Sequence, residues 1–504
     1  MNPEIILGPP GTGKTRSLLE EVETELAANT PPERIGYVSF TRRAADEAIT
    51  RACEKFKFER ARLPHFRTLH SLCFRQLGLR SGDVFEGRAV QEFAARIGVR
   101  ITGRWSEDGT LSGFDVGDRV LFMENLSRIR CIALREQYDA DDDNLSWTEV
   151  SRVSRSLAEF KVAEGLLDYT DMLRRFVEDQ SSPPLDVLVV DESQDLSALQ
   201  WLVVEKLARG ARRVLVAGDD DQAIYRWAGA DADHLIHMDG RSRVLGHSWR
   251  VPAAIQAVAS RVLSVVHNRR EKLWTPRDAV GSVDRHRSIS QVDTDGEEIL
   301  ILARNAYIVR EQILPELRRR GVVYELHGHS SVKPVTLAAV TAWERLRAGG
   351  AVTGAEARSI YDTMTSGVGV TRGHKSLKNF GDEDMVTMID LRERGGLLVD
   401  SIWHDALDRI PIGERSYILA ARRRGEKLRS KPRVRVSTIH GSKGGEADHV
   451  IVMKEMASRT HREMTTGGQH AAEDEARVWY VGVTRTRERL SIVESSTAQR
   501  CPWL

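Results

Sequence analysis

The sequence predicts an α/β protein with parallel sheets, and three observations carry that prediction. Short apolar runs alternate with amphipathic helical stretches, a glycine-rich loop joins the first run to the first helix, and two later runs end in acidic residues. At 504 residues the chain exceeds one ordinary core, so roughly two to four domains are expected. The first run, Ile5 to Leu7, enters Gly8-Pro9-Pro10-Gly11-Thr12-Gly13-Lys14-Thr15, and Thr15 to Ala28 reads as the helix behind it. A second strand, Ile35 to Phe40, runs into a helix that begins Thr41-Arg42-Arg43. Leu185 to Val190 and Arg213 to Ala217 read as buried strands whose carboxyl ends present acidic groups. Residues 81 to about 175 look mostly helical, with Asp139 to Asp143 as a solvated loop and nothing catalytic. A second α/β pattern starts at Ile299 to Ala303, passes through a helix over Ile308 to Arg320 and a strand over Val322 to Leu326, and resumes at Val434 to Thr438. The intervening 351–431 is rich in Gly and charge and reads as an insertion.

Composition narrows the classes. With 41% hydrophobic and 29% charged residues, no apolar run approaches the roughly 20 residues of a membrane span. No signal peptide precedes the glycine loop, so a cytoplasmic protein with no membrane partner is expected. Four cysteines without a C-x-x-C pair suggest neither a zinc site nor a disulfide framework. A net charge of +1 gives no global basic field, which still leaves room for a local basic groove.

The chemistry lies in a few stretches. Residues 8–15 fit G-x-x-x-x-G-K-[ST]: glycines let backbone N–H groups curl around phosphate oxygens, the lysine reaches the terminal phosphates, and the hydroxyl suits magnesium. In Val189-Val190-Asp191-Glu192, Asp191 can hold a hydrated magnesium ion and Glu192 can polarise an attacking water. The run from Gly218 to Asp231 brings Gln222, able to sense a terminal phosphate, and then Tyr225 and Trp227. These aromatics are either core or stacking platforms for single-stranded bases.

With these stretches in order, the chain resembles the UvrD/Rep/PcrA family of superfamily 1A DNA helicases. The resemblance rests on GPPGTGKT, SFTRRAADEA from Ser39, TLHSLC from Thr68, GLLDYTDML from Gly165, VVDESQD from Val189 and GDDDQAIYRWAGAD from Gly218. It continues with HSWRVP from His247, LARNAYIVREQILPELRRRGV from Leu302, STIHGSKGGEADHVIV from Ser437 and YVGVTRTRERL from Tyr480. It implies two RecA-like motor domains, each a parallel sheet flanked by helices and each with a mainly helical insertion. The first would be 1–80 with 176–275, interrupted by 81–175; the second would be 276–350 with 432–504, interrupted by 351–431. ATP and Mg2+ are the implied cofactors, with Lys14 and Thr15 on phosphates and metal, Asp191 on the metal, Glu192 as base and Gln222 as phosphate sensor. Arg250 and Arg485 match the two arginines that face the terminal phosphate, and Glu446 matches a glutamate on the ribose. Phe40, Thr41, Thr68, His70, Tyr225, Trp227 and His440 fall on strand-contact positions. The implied partners are single-stranded DNA and tailed or forked duplexes, with 3′ to 5′ polarity by resemblance and the loading partner unknown.

The chain departs from the family in three places. Ala228 stands where relatives carry an arginine that links the strand-contact segment to the phosphate site, and Arg226 is expected to point elsewhere. Gly445 and Ala447 replace bulkier apolar residues. Met1 to Leu7 leaves no room for the upstream segment whose glutamine reads adenine, so Arg16 and Trp249 are expected to sandwich the base and to choose nucleotides loosely. The chain is expected to lack a nuclease domain and a C-terminal extension. Two other readings stay open: an RNA or RNA–DNA helicase of the same superfamily, and a non-unwinding module that uses ATP as a switch.

Overall fold

The computed structural model describes residues 2–39, 42–103, 115–141, 144–179, 181–296 and 298–504. Compactness divides the chain into one unit of 1–285 with 438–504 and another of 286–437. The α/β class and its parallel sheets are as the sequence predicts.

The first unit is built on a six-stranded sheet: β1 (Glu4–Leu7), β2 (Ile35–Ser39), β3 (Phe66–Thr68), β4 (Val187–Asp191), β5 (Arg213–Gly218) and β6 (Arg241–Val244). Its order is β3-β2-β4-β5-β1-β6, and every pairing is parallel. Alternation along each strand sends neighbours to opposite faces. Ile5, Val38, Leu188, Val190, Val214 and Val216 join one core with Leu72, Phe176 and Trp201. Ile6, Tyr37, Val187, Val189, Leu215 and Ala217 join the other with Leu18, Val22 and Ile49. Both faces are thereby buried, which is why the strands read as continuous Val/Leu/Ile runs. The order also places β4, β5 and β1 side by side, so Asp191, Asp219 and the glycine loop emerge from adjacent carboxyl ends.

The described residues of 81–175 are mainly helical, as expected, with Arg88–Ile97, Val116–Ile129 and Trp147–Glu164 around a separate core of Phe85, Phe93, Val120, Met123, Val153 and Phe160. Asp139 closes the short helix Leu134–Asp139, while 142 and 143 lie outside the described residues. The unit also contains Ala447–Met453, parallel to Thr486–Val493.

In the second unit, Val434–Thr438 runs parallel to Tyr324–Leu326. The expected helix over 308–320 is present with a π-helical turn at Val309–Ile313. Within 351–431 the helices Gly354–Asp362 and Ile412–Arg424 accompany a short antiparallel pair, Val352–Thr353 with Met385–Val386. Trp343 is fully buried, and its indole N–H donates to the Ser401 carbonyl at 3.0 Å.

Candidate functional site

The glycine loop leaves β1 and enters the helix Lys14–Ala27 with Gly11 at φ +73° and Gly13 at φ +82°. Gly11 is required twice over: its backbone is left-handed, and a Cβ there would stand 2.3 Å from Cβ of Arg250. The Gly13 cap offers no side chain to the helix, so the first N–H groups stay available to an anion. Lys14 Nζ donates to the Gly8 carbonyl at 2.8 Å, coiling the lysine over the loop.

At the end of β4, Asp191 is buried and accepts from the Tyr37 hydroxyl at 2.6 Å and the Thr15 hydroxyl at 3.3 Å. Burial and the adjacent Glu192 charge push its carboxyl up to about 6. Glu192 takes a left-handed backbone, φ 53°, which a non-glycine residue adopts only under constraint. Burial pushes its carboxyl up, but Lys14, Lys443, Arg485 and a hydrogen bond from Gln194 outweigh that and hold it below the usual range. Gln194 also accepts from the Asp219 backbone N–H at 3.0 Å, tying the ends of β4 and β5 together.

Gln222 is held from both ends. Its amide N–H donates to Asp219 at 2.7 Å, and its carbonyl accepts from Arg485 at 2.7 Å. Arg485 is 2% exposed and also donates to the Val481 carbonyl at 3.1 Å and the Gly445 carbonyl at 3.4 Å. Burial, then the neighbouring Arg250 charge, lowers its guanidinium to about 9. Arg250 pairs with Glu446 at 2.5 Å. The turn carrying Arg250 is pinned to the glycine loop: Ser248 Oγ donates to the Pro10 carbonyl at 2.7 Å, and the Trp249 N–H donates to the Gly11 carbonyl at 2.8 Å. Trp249 is 71% exposed with His247 edge-on at 4.5 Å, and Arg16 is exposed and paired with Glu20.

The Asp219-Asp220-Asp221 run is buried against Lys272, whose Nζ lies 3.3, 2.5 and 3.0 Å from the three carboxylates. Burial alone would push the ammonium down, but the three carboxylates outweigh it and raise it. Arg269 adds an ion pair to Asp221 at 2.5 Å. Lys272→Met would strand these charges away from water and is expected to cost about 3–5 kcal/mol. Urea denaturation of the full chain measures it, and a loss below about 1 kcal/mol, the value of a surface pair, would contradict the role.

The strand-contact positions divide. Tyr225 and Trp227 are half-buried, and each ring centroid lies 6.1 Å from that of the buried His440. Trp227 also stacks on Phe122 at 6.2 Å, and the Tyr225 hydroxyl donates to the His440 carbonyl at 3.1 Å. Lys443 donates to Asp195 at 2.6 Å and to the Gln222 backbone carbonyl at 2.9 Å and lies 5.1 Å from the Tyr225 ring, so it touches the backbone of the phosphate-sensing residue and the face of an aromatic one. Thr68 is buried and caps the helix Leu69–Gln76 by accepting from the Ser71 N–H at 3.2 Å. His70 meets Tyr169 edge-on at 6.0 Å. Phe40 and Thr41 lie outside the described residues. Arg226 points away from Gln222, as expected, into Asp233 at 2.7 Å and Asp474 at 3.2 Å.

Tyr37, Gln194, Ser248, Lys272 and Arg269 were not among the sequence candidates. Oxygen donors at Thr15 and Asp191 suit Mg2+, which binds few protein carboxylates and completes its shell with phosphate oxygens and water.

Comparison with known proteins follows the same lines. Residues 1–242 match the model of the UvrD/REP helicase N-terminal domain, and residues 416–497 match that of the UvrD-like helicase C-terminal domain. The ATP-dependent DNA helicase PcrA of Leuconostoc citreum is 25% identical over 331 residues, 61% of this chain and 43% of the relative. PcrA of Bacillus subtilis is 25% identical over 376 residues, 66% of this chain and 47% of the relative. A probable DNA helicase II homolog of Rickettsia conorii is 24% identical over 306 residues, 55% of this chain and 45% of the relative. The matches thus span a little under half the length of these relatives.

Proposed function

The chain belongs to the UvrD/Rep helicase family, and from that premise we propose an ATP-driven motor that moves along single-stranded DNA. In this proposal it unwinds tailed or forked duplexes with 3′ to 5′ polarity, in the cytoplasm, in replication, repair or recombination. The motor domains are 1–80 with 176–275 and 276–350 with 432–504.

One observation carries the reading. The segment from Asp219 to Trp227 holds Gln222 between Asp219 and Arg485 and, within five residues, presents Tyr225 and Trp227 against His440. A change at the terminal phosphate therefore has a short covalent route to the aromatic positions. Because Ala228 offers no arginine for that link, Lys443 is the side chain that bridges them. In hydrolysis Glu192 accepts a proton from water as its oxygen bonds to the terminal phosphorus and the bond to the ADP oxygen breaks. Arg250 and Arg485 stabilise the charge spread over the phosphoryl oxygens. Thr15 and Asp191 would hold Mg2+, which neutralises phosphate charge, and Trp249 and Arg16 would flank the base.

Steady-state hydrolysis with DNA and RNA oligonucleotides tests the proposal. Stimulation by DNA well above that by RNA is expected, an equal or larger response to RNA favours the RNA helicase reading, and no response to either overturns the motor. Trp227→Ala is expected to reduce translocation per ATP more than hydrolysis at saturating DNA, since one base–aromatic stack is worth about 1–3 kcal/mol. Unchanged coupling in that variant would return Trp227 to a packing role against Phe122.

A further inference from the structure

A tyrosine reaches the carboxylate of Asp191 from inside the sheet. On β2, Tyr37 stands in register with Val189 of β4, and Ser39 stands in register with Asp191. Residues two apart on a strand share a face, so Tyr37, Val189 and Asp191 lie on one side of the sheet. The phenol spans the single pleat that separates its own register from Asp191, roughly 6.6 Å along the strand. Its ring is fully buried in the core that holds Ile49, Val187 and Val189, and it stacks on Phe66 with centroids 5.3 Å and planes 21° apart. A phenylalanine would meet that packing equally well. The hydroxyl is a polar group added to an apolar core, where a buried O–H requires an acceptor. It donates to Asp191 Oδ2 at 2.6 Å, the length of a charge-assisted bond.

The carboxylate is thereby held at both oxygens. Oδ1 accepts from the Glu192 backbone N–H at 2.9 Å and Oδ2 accepts from Tyr37, while the Thr15 hydroxyl, itself assigned to the metal, stands farther from Oδ2 at 3.3 Å. An ionised carboxylate has about four acceptor sites, so the two short bonds leave others for a cation. Mg2+ tolerates little departure from octahedral geometry, and a carboxylate free to rotate would have to be ordered at the moment of binding. A donor on a ligand oxygen also withdraws some of its charge, which by itself weakens the metal bond. Orientation is the larger effect, since removing such outer partners of ligating carboxylates usually lowers metal affinity.

We propose that Tyr37 is a positioning residue for Mg2+: its O–H, fixed by the stack on Phe66, sets the rotation of the Asp191 carboxylate so that an oxygen already faces the Thr15 hydroxyl when the nucleotide arrives. Tyr37 acts through Asp191 and does not itself touch the metal. The inference rests on the proposed assignment of Thr15 and Asp191 to Mg2+.

Titration of the full chain with a fluorescent ATP analogue over a series of Mg2+ concentrations, and in excess EDTA, tests it well below the thermal midpoint. Tyr37→Phe keeps the ring and removes only the hydroxyl. It is expected to raise the Mg2+ concentration for half-maximal binding by about 10-fold to 100-fold, to leave binding in EDTA as in wild type, and to recover wild-type binding at saturating Mg2+. Ile49→Val, which thins the same core and leaves the hydroxyl in place, is expected to keep the wild-type Mg2+ requirement. A requirement within about twofold of wild type in Tyr37→Phe, an equal shift in Ile49→Val, or a loss of binding that is the same in EDTA as in Mg2+ overturns the inference alone. Wild-type binding that does not depend on Mg2+ overturns the metal assignment to Thr15 and Asp191 and this inference with it.

Discussion

Lys14→Ala and Glu192→Gln will both stop multiple-turnover ATP hydrolysis, and they will part in nucleotide binding. Lys14 donates to the Gly8 carbonyl and carries a charge that a bound phosphate draws to itself. Losing a charge-assisted hydrogen bond costs about 1.5–3 kcal/mol, roughly a tenfold to hundredfold weakening. Glutamine at 192 keeps the volume and can still accept from Gln194, but it cannot take a proton from water. Titration with a fluorescent ATP analogue should show wild-type or tighter retention in Glu192→Gln and weak binding in Lys14→Ala. Equal loss of binding in both would remove Glu192 from the role of base.

Arg485→Lys is expected to be nearly as damaging as Arg485→Ala. The guanidinium already spans Gln222, Val481 and Gly445, a fork that an ammonium cannot reproduce. Burial and Arg250 disfavour its charge until phosphoryl oxygens arrive, so its stabilisation grows with the charge of the transition state. An arginine in this role is worth about 10³–10⁵ in kcat, and the loss should fall on kcat more than on nucleotide affinity. Single-turnover hydrolysis with saturating ATP measures it. A kcat within about tenfold of wild type would assign Arg485 to packing.

Much of this site is legible in the sequence because its chemistry is local. The glycine loop, Asp191 and Glu192 are read from their position at the ends of apolar runs, and the structure puts those runs on parallel strands of one sheet with only β5 between them. What escapes is long-range or disguised. Tyr37 lies within an apolar run, and nothing local says that its hydroxyl reaches Asp191, 154 residues away. Lys272 belongs to Arg269-Arg270-Glu271-Lys272, a charged run that reads as a solvated face, yet it is buried among three aspartates some 50 residues upstream. β3 is only three residues long, and β6, Arg-Ser-Arg-Val, is exposed at all four positions, so neither shows a strand pattern. Thr68, singled out for strand contact, also caps a helix through its hydroxyl oxygen, a local role its place before Leu69–Gln76 explains.

The claim that hydrolysis at Lys14, Glu192 and Arg485 drives directed motion on DNA is tested most directly by strand displacement from matched duplexes with a 3′ or a 5′ single-stranded tail. The account predicts ATP-dependent release from the 3′-tailed duplex, little from the 5′-tailed one, and none from either with Glu192→Gln. Release that persists in that variant, or absence of release from both duplexes while DNA-stimulated hydrolysis continues, would contradict it.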